Sequence, residues 1–262
     1  MNTNAQKKLI LQVEPQKIAY IIQNRITNEV LHFNQYTIDP YREIDNELDK
    51  MMSQDELLQT DFEEVELLHN NTLNTIVPNE FYKEEALGNY LQFTIKVFPT
   101  DYFASDEISP LQAHNVYVPY VNFNNYFLDK FGAFEYKHIY TPLLEYTFAH
   151  SMKDVQKFWL YKAQNSCVII IYKQQQLAFI NAFEIESKED LLYYILFVME
   201  QMQIDPSQQV IHAIGDLEEK DDYYELLYDY IKTIDLPNHD ILAKQFNCSK
   251  EILKNYYTLL HT

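Results

Sequence analysis

The densest chemistry in this sequence is the run Asp216-Leu217-Glu218-Glu219-Lys220-Asp221-Asp222, five carboxylates in seven residues. It follows the alternating apolar stretch Val210 to Ile214 after the single residue Gly215, and the ends of such strands are where ligands of open α/β sheets bind. Carboxylate oxygens suit Mg²⁺. The same acids suit a solvated helix N-terminus, where they complement the helix dipole. A two-metal nuclease site needs further acids on a neighbouring strand, and Lys7 to Val13 offers none.

The remaining reactive residue types form no catalytic pattern. The eight histidines lack His-x-x-x-His spacing, and His212, inside the alternating Val210 to Ile214 stretch, reads as a core side chain. Cys167 begins an apolar run with no basic activator beside it in sequence, so it reads as an inert thiol. Two cysteines, Cys167 and Cys248, cannot build a disulfide framework and point to a reducing compartment. There is no nucleophile elbow or phosphate-binding loop. Only three glycines are present, where average usage of about 7% would give roughly 18, so loops needing several glycines are excluded.

Aromatic residues are abundant instead, with 22 Tyr and 16 Phe. In a helix from Asp221 to Tyr230, the residues Tyr223, Leu226, Leu227 and Tyr230 make a core face. Tyr224 and Tyr228, four residues apart, then share another face. Tyrosine combines an apolar body with a wet hydroxyl and is enriched at interfaces. Tyr224 and Tyr228 are therefore the candidate anchors for a protein partner, with the aromatic-rich helix Asn122 to Phe131 as a second surface.

The 39 acidic side chains outnumber 20 basic ones for a net charge of -19, which repels phosphate backbones and anionic lipid. No nucleic-acid partner is expected. The longest strongly apolar helical run, Leu191 to Met199, is half of what a bilayer requires, and the polar start Met1 to Lys8 lacks a signal-peptide core. A cytoplasmic protein without membrane insertion is the expectation.

The elements that must position these residues are clearest from Phe158 to Asp216, which reads strand, strand, strand, helix, strand. Cys167 to Tyr172 and Leu177 to Ile185 are β-branched and aromatic runs around the polar turn Lys173 to Gln176, the mark of a hairpin. Ser187 opens a helix, with Asp190 completing a capping box before Leu191 to Met199. Apolar residues surround that helix, which predicts deep burial and a severe cost for Leu196→Asp. Pro206 and the strand Val210 to Ile214 return the chain to the sheet.

The N-terminal region repeats this order. Lys7 to Val13 and Lys17 to Gln23 flank a turn at Pro15, and Val30 to Ile38 forms a third strand. Asp39-Pro40 supplies a cap and first-turn proline for a helix to about Met52, and Phe62 to Leu68 is the fourth strand. The third strands match most closely, Phe33-Asn34-Gln35-Tyr36-Thr37-Ile38-Asp39 against Ile180-Asn181-Ala182-Phe183-Glu184-Ile185-Glu186. Between the repeats come a helix from Asn79 to about Leu91, a strand Asn115 to Val118, and the helix Asn122 to Phe131 closed by Gly132. A strand Phe134 to Tyr140 and a helix capped by Thr141-Pro142 to about Met152 complete this region. After Asp216 come an edge strand Ile231 to Leu236 and a C-terminal helix capped by Ser249. The polar Ser151 to Gln156 stretch is the expected boundary, giving halves 1–152 and 153–262.

The stretch Asn181-Ala182-Phe183-Glu184 through Leu192 to Gln201, with Asp205-Pro206, resembles an uncharacterised bacterial family, domain-of-unknown-function family 3822. Val77-Pro78-Asn79-Glu80-Phe81, Tyr90-Leu91-Gln92-Phe93 and Asn115-Val116-Tyr117-Val118-Pro119 resemble its first-half landmarks. The resemblance implies an α/β fold: a duplicated ribonuclease-H-like (actin-like ATPase) fold with two mixed-sheet halves around a cleft. It carries no established activity.

Actin-like nucleotide sites hold phosphates with Asp/Gly-containing hairpins and adenosine with glycines after the second half's fourth strand. Here the hairpins are Gln12 to Lys17 and Lys162 to Cys167, with neither glycine nor aspartate, and only Gly215 stands at the adenosine position. Two readings follow, beside a third of a sugar- or peptide-binding cleft. One is a non-catalytic interaction or scaffold protein, with no cofactor and an unidentified protein partner. The other is a diverged Mg-ATP-binding protein or kinase, in which Lys17, Lys162, Gly215 and Asp216 would contact the cofactor.

Overall fold

The structure, a computed structural model, describes residues 6–98, 100–151 and 156–261. Met1 to Ala5 of the polar start, and residues 152–155 of the expected boundary stretch with the cut between 152 and 153, lie outside the described residues. The chain divides into two compact units, Met1–Glu145 with His261–Thr262, and Tyr146–Leu260.

In the first unit β1 (Lys7–Glu14), β2 (Lys17–Asn24), β3 (Val30–Thr37), β4 (Glu64–His69) and β8 (Glu135–His138) form one sheet, ordered β3-β2-β1-β4-β8. The first three strands pair antiparallel, while β4 joins β1, and β8 joins β4, in parallel. In the second unit β9 (Gln156–Lys162), β10 (Ser166–Lys173), β11 (Gln176–Glu184), β12 (Val210–Gly215) and β13 (Thr233–Asp235) take the order β11-β10-β9-β12-β13 with the same senses. Strand order, sense and the helix after the third strand all repeat, so the fold is a duplicated actin-like one with two mixed sheets.

The inner strands β1, β2, β9 and β10 are buried along most of their length, as apolar runs without strict alternation require. The outermost strands β3 and β11 alternate more and are partly exposed. On each of them an asparagine folds back along the strand: Asn34 Oδ1 accepts from the Gln35 amide at 2.8 Å, and Asn181 Oδ1 from the Ala182 amide at 3.0 Å.

The helix α1 (Ile44–Gln54) buries Leu48 and Met51, and α5 (Lys188–Gln201) buries Leu191, Ile195, Val198 and Met199. The capping box is present, with Asp190 N donating to Ser187 Oγ at 3.1 Å and Ser187 N to Asp190 Oδ2 at 2.9 Å. α5 is not buried all round. Leu196 is half-buried, and Tyr193 and Phe197 are exposed and stacked on each other, so Ile195 rather than Leu196 is the sensitive core position. The hairpin β10–β11 turns at Gln174 and Gln175, both with positive φ. That type I′ geometry matches strand twist and is usually built with Asn or Gly.

Several local expectations are corrected. α1 begins at Ile44, because the Asp39 carboxylate caps Tyr41 N (3.0 Å) and Arg42 N bonds the Asp39 carbonyl, making a separate turn. Asn79 to Leu91 is not one helix: after β5 (Asn74–Pro78) come a turn, a 3₁₀ turn Glu84–Ala86 and the five-residue α2 (Leu87–Leu91). β5 joins β6 (Ala104–Ile108) and β7 (Ala113–Tyr117) in a three-stranded antiparallel sheet, ordered β5-β7-β6, of which sequence patterning alone shows one strand. α3 (Val121–Phe131) ends at Gly132, where φ is +75°, as expected. α4 (Tyr140–Ala149) starts before Thr141-Pro142, leaving the Thr141 hydroxyl free to bond Asp106. After α6 (Asp222–Tyr230), an unforeseen helix α7 (His239–Phe246), capped by Asn238, precedes the Ser249-capped α8 (Lys250–Asn255).

Candidate functional site

In the second unit β9 and β12 run parallel and end together, with Lys162 in register with Gly215. The Asp216 amide then donates to the Lys162 carbonyl at 2.7 Å. Gly215 has φ +90°, and a Cβ there would lie 2.2 Å from that carbonyl oxygen. The close backbone crossing therefore requires glycine with or without a ligand. The Lys162 side chain is only 4% exposed, with Nζ 3.4 Å from Asp216 Oδ2 and 4.3 Å from the centre of the Tyr223 ring. Carboxylate and aromatic face together shield the ammonium. Lys162 thus meets the sequence-distant pair Gly215-Asp216 at one place, with Tyr223 as a member that helical spacing assigns only to the core.

The other acids of the run disperse into local tasks. Asp221 caps α6 by accepting from Tyr224 N (2.6 Å) and also accepts from Glu218 N (3.0 Å), and Glu218 pairs with Lys254 at 2.9 Å. Among the described residues no three His, Cys, Asp or Glu side chains converge as a metal set. His212 is bonded to Asp235 of β13 at 2.7 Å. Burial pushes the Cys167 thiol up to about 12, against which nearby Lys162 works only in part, so it carries little thiolate at neutral pH.

The first unit has the same crossing with different contents. Val13 of β1 is in register with His69 of β4, and the Asn70 amide donates to the Val13 carbonyl at 3.0 Å. Where the second unit has an ammonium, this one has the Glu14 carboxylate, which accepts from Asn70 Nδ2 at 2.8 Å and Gln12 Nε2 at 3.0 Å. Lys17 stands opposite Glu14 across the Pro15-Gln16 turn. His69 occupies the place of Gly215. It is fully buried, its Nδ1 accepts from the Tyr120 amide at 3.2 Å, and desolvation lowers its pKa to about 4.

Beside it lies a polar cluster that sequence reasoning missed. His138 is in register with His69, accepts from Tyr140 N at Nδ1 (3.2 Å) and faces the Asn71 carbonyl with Nε2 (3.0 Å). The proton therefore sits on Nε2, and burial lowers the pKa to about 3. Asp106 of β6 accepts from the Thr141 hydroxyl (2.6 Å), the His138 amide (2.8 Å) and the Tyr117 hydroxyl (2.9 Å). Desolvation raises it to about 6 against the pull of those bonds. The cluster ties the three-stranded sheet to the main sheet. Nothing in the spacing of Asp106 or the histidines announces it, because its members meet only through strand register.

Tyr224 and Tyr228 stack with ring centres 5.9 Å apart. Tyr228 is 58% exposed, whereas Tyr224 is half-buried against the second unit's core. Tyr230, expected on the core face, is exposed instead. No helix among the described residues is long and apolar enough to cross a membrane.

Comparison with known proteins agrees with this architecture. A Bacteroides thetaiotaomicron protein with an actin-like ATPase fold and unknown function superposes with a TM-score of 0.78, at 18% identity over 94% of this chain and 97% of its own. The PilM–PilN type IV pilus biogenesis complex superposes at 0.66, with 11% identity over 98% of this chain and 97% of the other. At such identities the likeness concerns the fold alone. No curated protein matches the chain in sequence. The family model described as protein of unknown function (DUF3822) matches residues 1–234, and over that span, with its duplicated actin-like fold, the chain belongs to the DUF3822 family.

Proposed function

We propose that this chain is a non-catalytic interaction protein, an actin-like fold whose strand exits no longer hold a nucleotide. The carrying observation is that both exits are filled by the chain's own groups. The Asn70 and Asp216 amides are bonded to strand carbonyls, Glu14 is held by Asn70 and Gln12, and Lys162 is covered by Tyr223 and Asp216. A triphosphate needs convergent amides and opposing positive charge. Pro15 has no amide, and Glu14 places negative charge at its turn. A partner role fits a fold shared with the PilM–PilN complex, and exposed Tyr228 with Tyr224 behind it remains the proposed anchor.

The alternative, a Mg-ATP-binding protein, is favoured by one feature, the ammonium of Lys162 at a strand exit beside Gly215 and Asp216. Thermal melting with and without millimolar MgATP separates the two. The expected result is no shift and no hydrolysis; binding at 100 times the dissociation constant would add about 2.7 kcal/mol and sink the interaction reading. Lys162→Ala is the informative variant for any isotherm that appears, since Gly215→Val would disturb the backbone crossing itself. Tyr228→Ala should leave melting nearly unchanged while removing a partner captured by the wild-type protein.

A further inference from the structure

We propose that a groove in the first unit, at the start of α1 and α3, binds an extended segment of another protein in which aliphatic or aromatic side chains are interspersed with Lys or Arg. Two adjoining cavities form it, about 400 Å³ and about 450 Å³, sharing Ile44 and Asn122 in their linings. The first continues over Tyr102, Tyr120 and Val121 to Pro15, and the second over Tyr126. Tyr102 is 56% exposed and Val121 is 36% exposed, so the groove keeps apolar surface in water that a partner's side chains would cover.

Its lining carries charge of one sign, and the nearby Lys130, over the Tyr126 ring, is paired with Asp49 outside the lining. Asp101 lines the first cavity, and Glu43, Asp45 and Asp129 line the second, while neither lining contains Lys, Arg or His. Ion pairs elsewhere engage Asp39, Glu47 and Asp49 of the same region. Among the described residues, none engages Glu43, Asp45, Asp101 or Asp129. A second copy of this chain is a poor occupant, because at net charge -19 it would bring like charge to the rim. A first cavity walled largely by apolar side chains, continuing into a second lined by asparagines and by carboxylates without ion pairs, is complementary to a basic, apolar segment, where charge steers association and apolar anchors supply affinity.

This inference rests on the interaction reading and adds the partner's chemistry. It is tested by fluorescence anisotropy with an array of labelled octapeptides carrying Leu, Phe or Tyr at varied spacing between Arg or Lys, each paired with a version in which Glu replaces the basic residues. The expected outcome is saturable binding of some basic members at physiological salt and of no acidic counterpart. Asp45→Asn with Asp129→Asn should weaken that binding at least tenfold, and Ile44→Ser should do the same without removing charge. Glu184→Gln, Glu189→Gln and Glu200→Gln together remove more charge from the other unit and should change it less than twofold. If no basic member binds, or if the second-unit triple variant weakens binding as much as the groove variants, the groove is not the site. MgATP binding would instead remove the interaction reading itself, so the two failures are distinguishable.

Discussion

The two strand exits are one backbone design with opposite fillings. In each unit the residue after the fourth strand donates its amide to the carbonyl near the end of the first strand, Asn70 to Val13 and Asp216 to Lys162. The second unit closes over with a glycine and a shielded ammonium, the first with a buried histidine and a carboxylate held by amides. A backbone crossing of this kind is thus compatible with either sign of charge. What both keep is the backbone bond itself; beside the first, His69 Nε2 and Gln12 Oε1 are buried without a hydrogen-bond partner among the described residues, and an unpaired buried group costs a few kcal/mol.

Acidification should separate the units most. His69 and His138 have folded pKa values lowered to about 4 and about 3, so the unfolded chain binds more protons below the ordinary histidine value near 6.5. Their contribution is complete above that pH and is lost as pH falls toward 4. Asp106, raised to about 6, acts oppositely: the folded state binds the proton first, so its share of stability grows as pH falls from 6 toward 4. Two histidines outweigh one aspartate. A net loss of several kcal/mol is expected, since a tenfold difference in proton affinity between folded and unfolded chain is worth ~1.4 kcal/mol. The sole tryptophan, Trp159, lies in the second unit, so far-UV circular dichroism should report loss before Trp159 fluorescence does. Simultaneous transitions would break the contrast.

The next largest effect is expected at Gly215. Gly215→Ala places a Cβ against the Lys162 carbonyl at positive φ and should cost about 3 kcal/mol or more in urea unfolding. A neutral result would mean that the crossing is not tight. Lys162→Met should be much milder, within ~1 kcal/mol, because replacing a buried charge by an isosteric apolar chain offsets the lost pair with Asp216, itself 36% exposed. A large loss would instead identify the Lys162–Asp216 pair as the element holding the exit. Smallest of all, Glu14→Gln keeps an acceptor for Asn70 and Gln12 and should change unfolding by under ~0.5 kcal/mol, while removing the charge that opposes an anion at the Pro15 turn. Appearance of phosphate binding in that variant, by calorimetry, would sharpen the comparison.

What the sequence made legible was local. The hairpins, the Ser187–Asp190 box, Gly132 and the matched third strands all rest on residues within a few positions of one another. The sheet β5-β7-β6 was not legible because β6, Ala-Ser-Asp-Glu-Ile, buries only its two ends, and its Asp106 bonds residues about thirty positions later. Periodicity misled at α5, where apolar residues on every side concealed which face meets the core, and at Tyr230, which the end of α6 leaves in solvent. At the candidate site Lys162, Gly215 and Asp216 could be named from the resemblance. Tyr223 over the ammonium, and the His69–His138–Asp106 cluster, depend on register between distant strands.

Asn34 and Asn181 have a consequence for life in a crowded solution. A sheet's outermost strand offers a row of amides to any passing extended chain, and that is how fibrils and unintended dimers begin. On β3 and β11 a side-chain oxygen already occupies one of those donors. Each half carries its own guard at the corresponding position, so whichever half folds first is defended before its twin exists.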